Sequence, residues 1–160
     1  MKYLDTRTLY KRQQELQSEL DDLKEAVEDA EEAYVDAASE YERRIPEDQD
    51  VLECILEDRE NELGSAKLEL KEWQEEYQEE LDALNDLERE VGDEFMHGET
   101  LIPEGEFKNY AEDLAADLHG RAIRDASWPF DCIDWEQAAD ELKMDYSSLE
   151  YEGETYWFRS

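Results

Sequence analysis

The sequence predicts a mainly α-helical protein: a long antiparallel helical hairpin (a coiled coil) over residues 1–96, followed by a small α+β domain over 97–160 that ends in a β-hairpin. Three observations predict it. Apolar residues step by three and four through two stretches of about 40 residues each, the signature of a helix buried along one stripe. A proline divides the two stretches. Beyond residue 97 the rhythm breaks into short helical stripes and an alternating tail.

In the first arm, from about Thr6 to Arg44, the stepping positions are Leu9, Gln13, Leu16, Leu20, Leu23, Val27, Ala30, Tyr34, Ala37 and Tyr41. In the second they are Leu52, Leu56, Arg59, Leu63, Ala66, Leu70, Trp73, Tyr77, Leu84, Leu87 and Val91, with one step falling on Glu80 beside Leu81. Such a seam needs a partner helix, and the chain supplies its own. If it folds back at Pro46, facing positions have numbers with a constant sum. Tyr41 with Leu52, Ala30 with Leu63, Leu23 with Leu70, Leu20 with Trp73, Leu16 with Tyr77 and Leu9 with Leu84 all sum to 93. Small Ala30 then meets Leu63, and Val27 meets small Ala66. Pro46 removes a helix hydrogen bond, and Asp48 or Asp50 can cap the next helix. Each arm would run roughly 60 Å at 1.5 Å per residue.

The C-terminal part begins with a polar stretch, His97-Gly98-Glu99-Thr100, leading to Ile102-Pro103. Phe107, Tyr110, Ala111, Leu114 and Leu118 mark an amphipathic helix that should stop near Gly120. A loop with Trp128-Pro129 follows. Asp134 with Gln137 three residues later reads as a capping box for a helix from Trp135 to about Lys143. The tail alternates on both sides of Glu152-Gly153, which predicts a β-hairpin. Trp135, Leu142, Leu149, Tyr151, Tyr156 and Phe158 are the expected core.

The chain carries 49 acidic and 16 basic residues, a formal net charge of −33. Such a surface repels nucleic acid and anionic membranes and attracts basic partners, and basic surfaces belong largely to proteins that bind nucleic acid. The 17 aromatics and the ordered apolar spacing argue against disorder. No apolar run reaches the length of a membrane span, and the N-terminus lacks the apolar core of a secretory signal. Cys54 and Cys132, far apart and without CxxC pairing, fit free thiols in a reducing cytosol. His97 and His119 stand in different segments with no zinc-type spacing, so neither a metal nor a cofactor is expected. The glycines form no phosphate-cradling loop and no nucleophile–base grouping can be nominated, so enzyme activity is not expected. The basic doublets Lys11-Arg12 and Arg43-Arg44 each lie among acids, and Trp73 and Tyr77 fall on the seam, so direct nucleic-acid binding is not expected either.

Through Glu94 the hairpin holds 33 acidic against 11 basic residues. Over 60 Å this is about one net charge per 2.7 Å, against roughly 1.7 Å for duplex DNA. Glu28, Glu31 and Glu32, and Glu72, Glu75, Glu76 and Glu79, stand three or four apart, in rows on one helix face. The object expected is a rigid negative rod. Acid excess also confers solubility or salt tolerance, and a coiled coil also serves as a scaffold or adaptor; both are alternative readings of the same charge and seam.

The last third bears on that choice. Phe107, Tyr110, Ala111, Asp113 and Leu114, then Ile133, Asp134, Trp135, Glu136 and Ala138, then Gly153, Tyr156, Trp157 and Phe158 form a pattern that resembles the end of antirestriction proteins of the ArdA type and related phage proteins. The resemblance covers about 60 residues, and the N-terminal hairpin departs from the usual multi-domain antirestriction layout. It implies an acidic DNA mimic from a phage or mobile element, acting in the cytosol of a bacterial host against a defence complex. Whether the target is a restriction–modification enzyme, a CRISPR effector (an anti-CRISPR role) or another nuclease is left open, as is a homodimer. The residues nominated to meet the partner's basic surface are Asp22, Glu25, Asp29 and Glu32 in one arm and Glu72, Glu75, Glu76 and Glu79 in the other.

Overall fold

The computed structural model describes residues 3–43, 49–120, 123, 128 and 130–159; of Gln49 it describes the backbone alone. The expected turn at Ile45-Pro46 and the Asp48 cap lie outside these residues, as does Pro129. In chain order the elements are β1 (Leu4–Asp5), α1 (Thr6–Arg43), α2 (Gln49–Val91), α3 (Glu94–His97), β2 (Thr100–Pro103), α4 (Phe107–His119), α5 (Trp135–Leu142), β3 (Ser147–Tyr151) and β4 (Glu154–Phe158). Single 3₁₀ turns occupy Glu104–Glu106, Phe130–Cys132 and Lys143–Asp145. Two compact units result, one of residues 13–82 and one of residues 1–12 with 83–160.

The first unit is the paired length of α1 and α2, two long helices packed against each other. The expected seam is where burial is found. Gln13, Leu16, Leu20 and Trp73 are buried, and Leu23, Val27, Ala30, Tyr34, Leu63, Ala66, Leu70 and Tyr77 are half-buried. Arg59 sits at a seam position yet is exposed, because a guanidinium keeps its hydration. Near the end of this stretch Leu81 is buried at 1% exposure while Glu80 stays half-buried, so the leucine takes the seam. Two cross-helix contacts agree with the antiparallel pairing. The Trp73 indole N–H donates to Glu19 at 3.0 Å, one residue from its expected partner Leu20, and Lys67 pairs with Glu31 at 2.7 Å.

In the second unit a four-stranded antiparallel sheet runs in the order β1-β2-β4-β3. The C-terminal hairpin is as expected, with Tyr151 opposite Glu154 and a two-residue connection in which Glu152 and Gly153 both have positive φ (51° and 78°). That is the primed turn whose twist suits a tight hairpin. The sequence reading did not anticipate β1 and β2; Leu4 pairs with Leu101 and Ile102 with Trp157. Asp5 also starts α1, its carboxylate accepting the Arg7 backbone N–H at 2.9 Å. Thr6 and Glu99 then tie the two chain segments by two hydrogen bonds, 3.0 Å and 2.7 Å long.

Alternation divides the sheet's residues between its faces. Leu149, Tyr151, Tyr156 and Phe158 point to one face and are buried. On the other, Ile102 and Trp157 meet Phe107 and Ala111 of α4 and Ala139 of α5, ringed by Tyr3, Tyr110, Leu142 and Tyr146. Phe107 is the hub, with edge or tilted ring contacts to Tyr110, Tyr146 and Trp157 at 5.2–5.8 Å. Of the expected core, the four strand residues are buried, while Trp135 and Leu142 are only half-buried. Asp134 caps α5, accepting the Glu136 and Gln137 N–H groups at 3.1 Å. The returning half of the capping box is not made: the Gln137 amide instead donates forward to Glu141 at 3.1 Å.

Candidate functional site

The long faces of α1 and α2 that turn away from the seam are mainly carboxylate surface because the seam takes most of the apolar residues and leaves the remaining helical positions to solvent. Residues 13–82 contain 27 acidic and six basic side chains, so this unit holds −21 of the chain's −33. Its helices are about 50 Å long at 1.5 Å per residue, which gives about one net charge per 2.4 Å, against roughly 1.7 Å on duplex DNA.

All eight nominated carboxylates are exposed. Asp22, Glu25, Asp29 and Glu32 step by three and four along one stripe of α1, and on α2 Glu72 and Glu75, like Glu76 and Glu79, stand three apart in two adjoining rows. In the expected register of facing numbers summing to 93, which the Trp73–Glu19 contact meets within one residue, Asp22–Glu32 fall across from residues 61–71 and Glu72–Glu79 across from residues 14–21. The two sets therefore follow one another along the helix pair and do not converge on one spot. Together they extend over about 27 Å of the axis.

Basic residues interrupt the field at defined places. Lys71 pairs with Glu75 of the nominated set at 3.4 Å, both groups being well exposed. Lys67 bridges to Glu31, and Arg59 pairs with Glu62 on its own helix. Exposed pairs of this kind are worth about 1 kcal/mol or less and open readily, so Glu75 remains a competent acceptor. Sequence reasoning missed Glu19. Its hydrogen bond from Trp73 fixes one carboxylate at the edge of the seam, and the signal was present, since Glu19 adjoins Leu20, the residue expected opposite Trp73.

A cluster of charged and aromatic groups lies in the other unit. Glu104 accepts from Lys143 at 2.5 Å and from the Trp157 indole N–H. The hydrogen bond from Lys143, then that from Trp157, holds the Glu104 carboxyl below its ordinary pKa. The Lys143 ammonium lies over the Phe107 and Trp157 rings, 5.5 and 5.2 Å from their centroids. Burial first, then the hydrogen bond that the Tyr146 hydroxyl shares with Tyr110, pushes Tyr146 well above the usual phenol range. These groups brace the domain's core.

Among the described residues no group of three or more His, Cys, Asp or Glu is arranged to hold a metal ion. His97, His119, Cys54 and Cys132 are all exposed and lie in separate elements or turns. No described helix is long and apolar enough to cross a membrane. What the arrangement offers chemically is dense, rigidly spaced carboxylate acceptors for a cationic surface. No protein-family model, no curated protein and no solved structure matches this chain.

Proposed function

We propose that this protein is an acidic DNA mimic, made by a phage or mobile element, that occupies the basic nucleic-acid-binding surface of a bacterial defence complex. The observation that carries the reading is the pair of exposed carboxylate stripes held on two packed helices. A basic groove gains affinity for DNA by exchanging condensed counterions for phosphates, and fixed carboxylates at similar density substitute for those phosphates. Rigidity matters because a preordered row of charges loses little entropy when a groove closes on it. The antirestriction-like pattern from Phe107 to Phe158 supports the same reading from independent residues.

A second reading, a coiled-coil scaffold or adaptor, draws on Val35, Val51, Ile55 and Leu68, which are 42–65% exposed on the helix pair. Apolar groups outside the seam suit a partner without a basic groove. The two readings separate on salt and on DNA. The test is capture from bacterial lysate with the full chain as bait, over a salt series, with and without competing duplex DNA. Mimicry expects nuclease or other DNA-binding complexes that DNA displaces. It further expects that changing Glu72, Glu75, Glu76 and Glu79 together to lysine weakens capture at least tenfold and flattens its salt dependence. Capture that is indifferent to DNA and survives the quadruple reversal would remove mimicry and leave the scaffold.

A further inference from the structure

The sheet of the second unit has two unlike edges. On one side β1 has two residues and runs straight into α1. On the other, β3 has five, contains no proline and pairs with β4 residue for residue, without a bulge. The Glu152-Gly153 turn makes Tyr151 and Glu154 a hydrogen-bonded pair. Bonded and non-bonded pairs alternate along an antiparallel ladder, so Ser147, Leu149 and Tyr151 bond to β4, while Ser148 and Glu150 turn their N–H and C=O groups outward. Both residues are exposed, and among the described residues these outward groups make no backbone hydrogen bond. A strand edge of this kind is a template for one more strand.

The side chains along the edge set the chemistry of that strand. The Glu150 carboxylate accepts the Thr155 hydroxyl at 2.5 Å and keeps further acceptor sites for a cation. Asp145 and Glu152, beyond either end of β3, are also exposed, and no lysine or arginine occurs from residue 144 to 158. Opposite charges directly across a strand pair stabilise it and like charges destabilise it, so a basic residue fits opposite Glu150. Leu149 and Tyr151 point to the other face, 3% and 8% exposed, and give the alternate residues of an incoming strand an apolar border. A second copy fits less well. Paired over the whole of β3, it leaves two Glu150 carboxylates as diagonal neighbours on one face and joins chains that each carry −33.

We infer that the free edge of β3 accepts an extended basic segment of a partner protein as a fifth, antiparallel strand, with a lysine or arginine opposite Glu150 and apolar residues beside Leu149 and Tyr151. Main-chain hydrogen bonds hold such a segment and the alternate side chains select it. The contact uses none of the carboxylates on the helix pair.

The test uses the full chain and three peptides of about seven residues, in about 0.3 M NaCl to screen the net charge. One alternates valine with lysine, one is the same peptide methylated on its lysine backbone nitrogens, and one has glutamate for lysine. The lysine peptide is expected to bind at least tenfold tighter than either control, and to slow amide hydrogen exchange at Ser148 and Glu150 at least tenfold. Ser148→Pro removes an outward N–H and none that bonds to β4, and should erase the difference between the lysine peptide and its methylated form. Glu150→Lys should shrink the preference for lysine over glutamate at least fivefold. Equal binding of the methylated peptide would mean that charge alone holds the segment, and would overturn the proposal. So would a lysine preference untouched by Glu150→Lys. Protection of the Ser148 and Glu150 amides that grows with protein concentration, without peptide, would overturn it in favour of a second copy.

Discussion

Gly98 follows α3 with φ 100° and ψ 85°, and its N–H closes that short helix on the Glu94 carbonyl at 3.0 Å. A Cβ there would fall 2.0 Å from the Arg7 side chain. Two costs are therefore present, and they separate. Arg7 is a flexible exposed side chain that can move, whereas the positive φ penalises any L side chain by about 1–2 kcal/mol. Gly98→Ala should lower stability by about that amount in urea unfolding, and most of the loss should persist in an Arg7→Ala background. Full rescue there would mean that the contact, not the backbone, sets the cost. The buried phenols make a second residue-scale case. Burial is the leading cause raising Tyr3, Tyr146 and Tyr156, reinforced at Tyr146 by the Tyr110 hydroxyl and at Tyr156 by Glu154. A group whose folded pKa is raised stabilises the fold below its unfolded pKa and loses that contribution as pH rises through the folded value. Stability should thus decline above about pH 10. Tyrosinate absorbance should show ordinary phenols ionising first and the three shifted ones later, together with loss of near-ultraviolet circular dichroism. A single wave near pH 10 with the fold intact would contradict this.

At the scale of elements, legibility followed repetition. The stepping residues of α1 and α2 recur many times, so one polar exception such as Arg59 or one misplaced step at Glu80 does not spoil the pattern. The sum of 93 then needed only a reversal near Pro46, and the Trp73–Glu19 contact falls within one residue of it. Strands β1 and β2 escaped because two and four residues are too few to display a period of two, and because Leu4 finds its partner at Leu101. Pairing over that separation leaves no local mark. Phe107 was placed on a helix, yet its role as hub depends on rings from β4 and from the segment around Tyr146, which no spacing rule joins. The candidate carboxylates were legible as stripes, whereas their consecutive placement on the two helices required the register. Element energetics are testable at Trp73, which is 8% exposed in a seam of only two helices. Trp73→Ala should cost about 3–5 kcal/mol, and Trp73→Phe, which keeps a ring and loses the bond to Glu19, closer to 1 kcal/mol. Similar losses for both would mean that the hydrogen bond, not the ring, holds the pair. At α5, Asp134→Ala should cost about 1 kcal/mol, and Gln137→Ala much less, since Gln137 makes no return bond.

For the whole molecule, charge sets the balance. A chain at −33 works against its own compaction, and carboxylates three and four apart on a helix destabilise it by a few tenths of a kcal/mol per like pair. Salt relieves this: the Debye length shrinks from about 30 Å at 0.01 M to about 3 Å at 1 M, below the 5–6 Å between neighbouring carboxylates in a row. The melting temperature should therefore rise by several degrees between 0.01 and 0.5 M NaCl, while capture of a basic partner weakens over the same range. Those opposite signs are what carboxylate rows kept for binding would produce. A chain folded only in molar salt would instead point to salt tolerance as the origin of the acidity, and a partner held equally at all salt concentrations would point to a scaffold. Acid unfolding reads one carboxyl of the second unit. The depressed pKa of Glu104 stabilises the fold above the unfolded carboxyl range, and that contribution is lost as pH falls through the folded value, so stability should decline below about pH 4. Glu104→Gln should flatten this acid limb in urea unfolding followed over a pH series, because the amide still accepts a hydrogen bond from Lys143 and no longer titrates. An acid limb unchanged by the substitution would assign the loss to other groups.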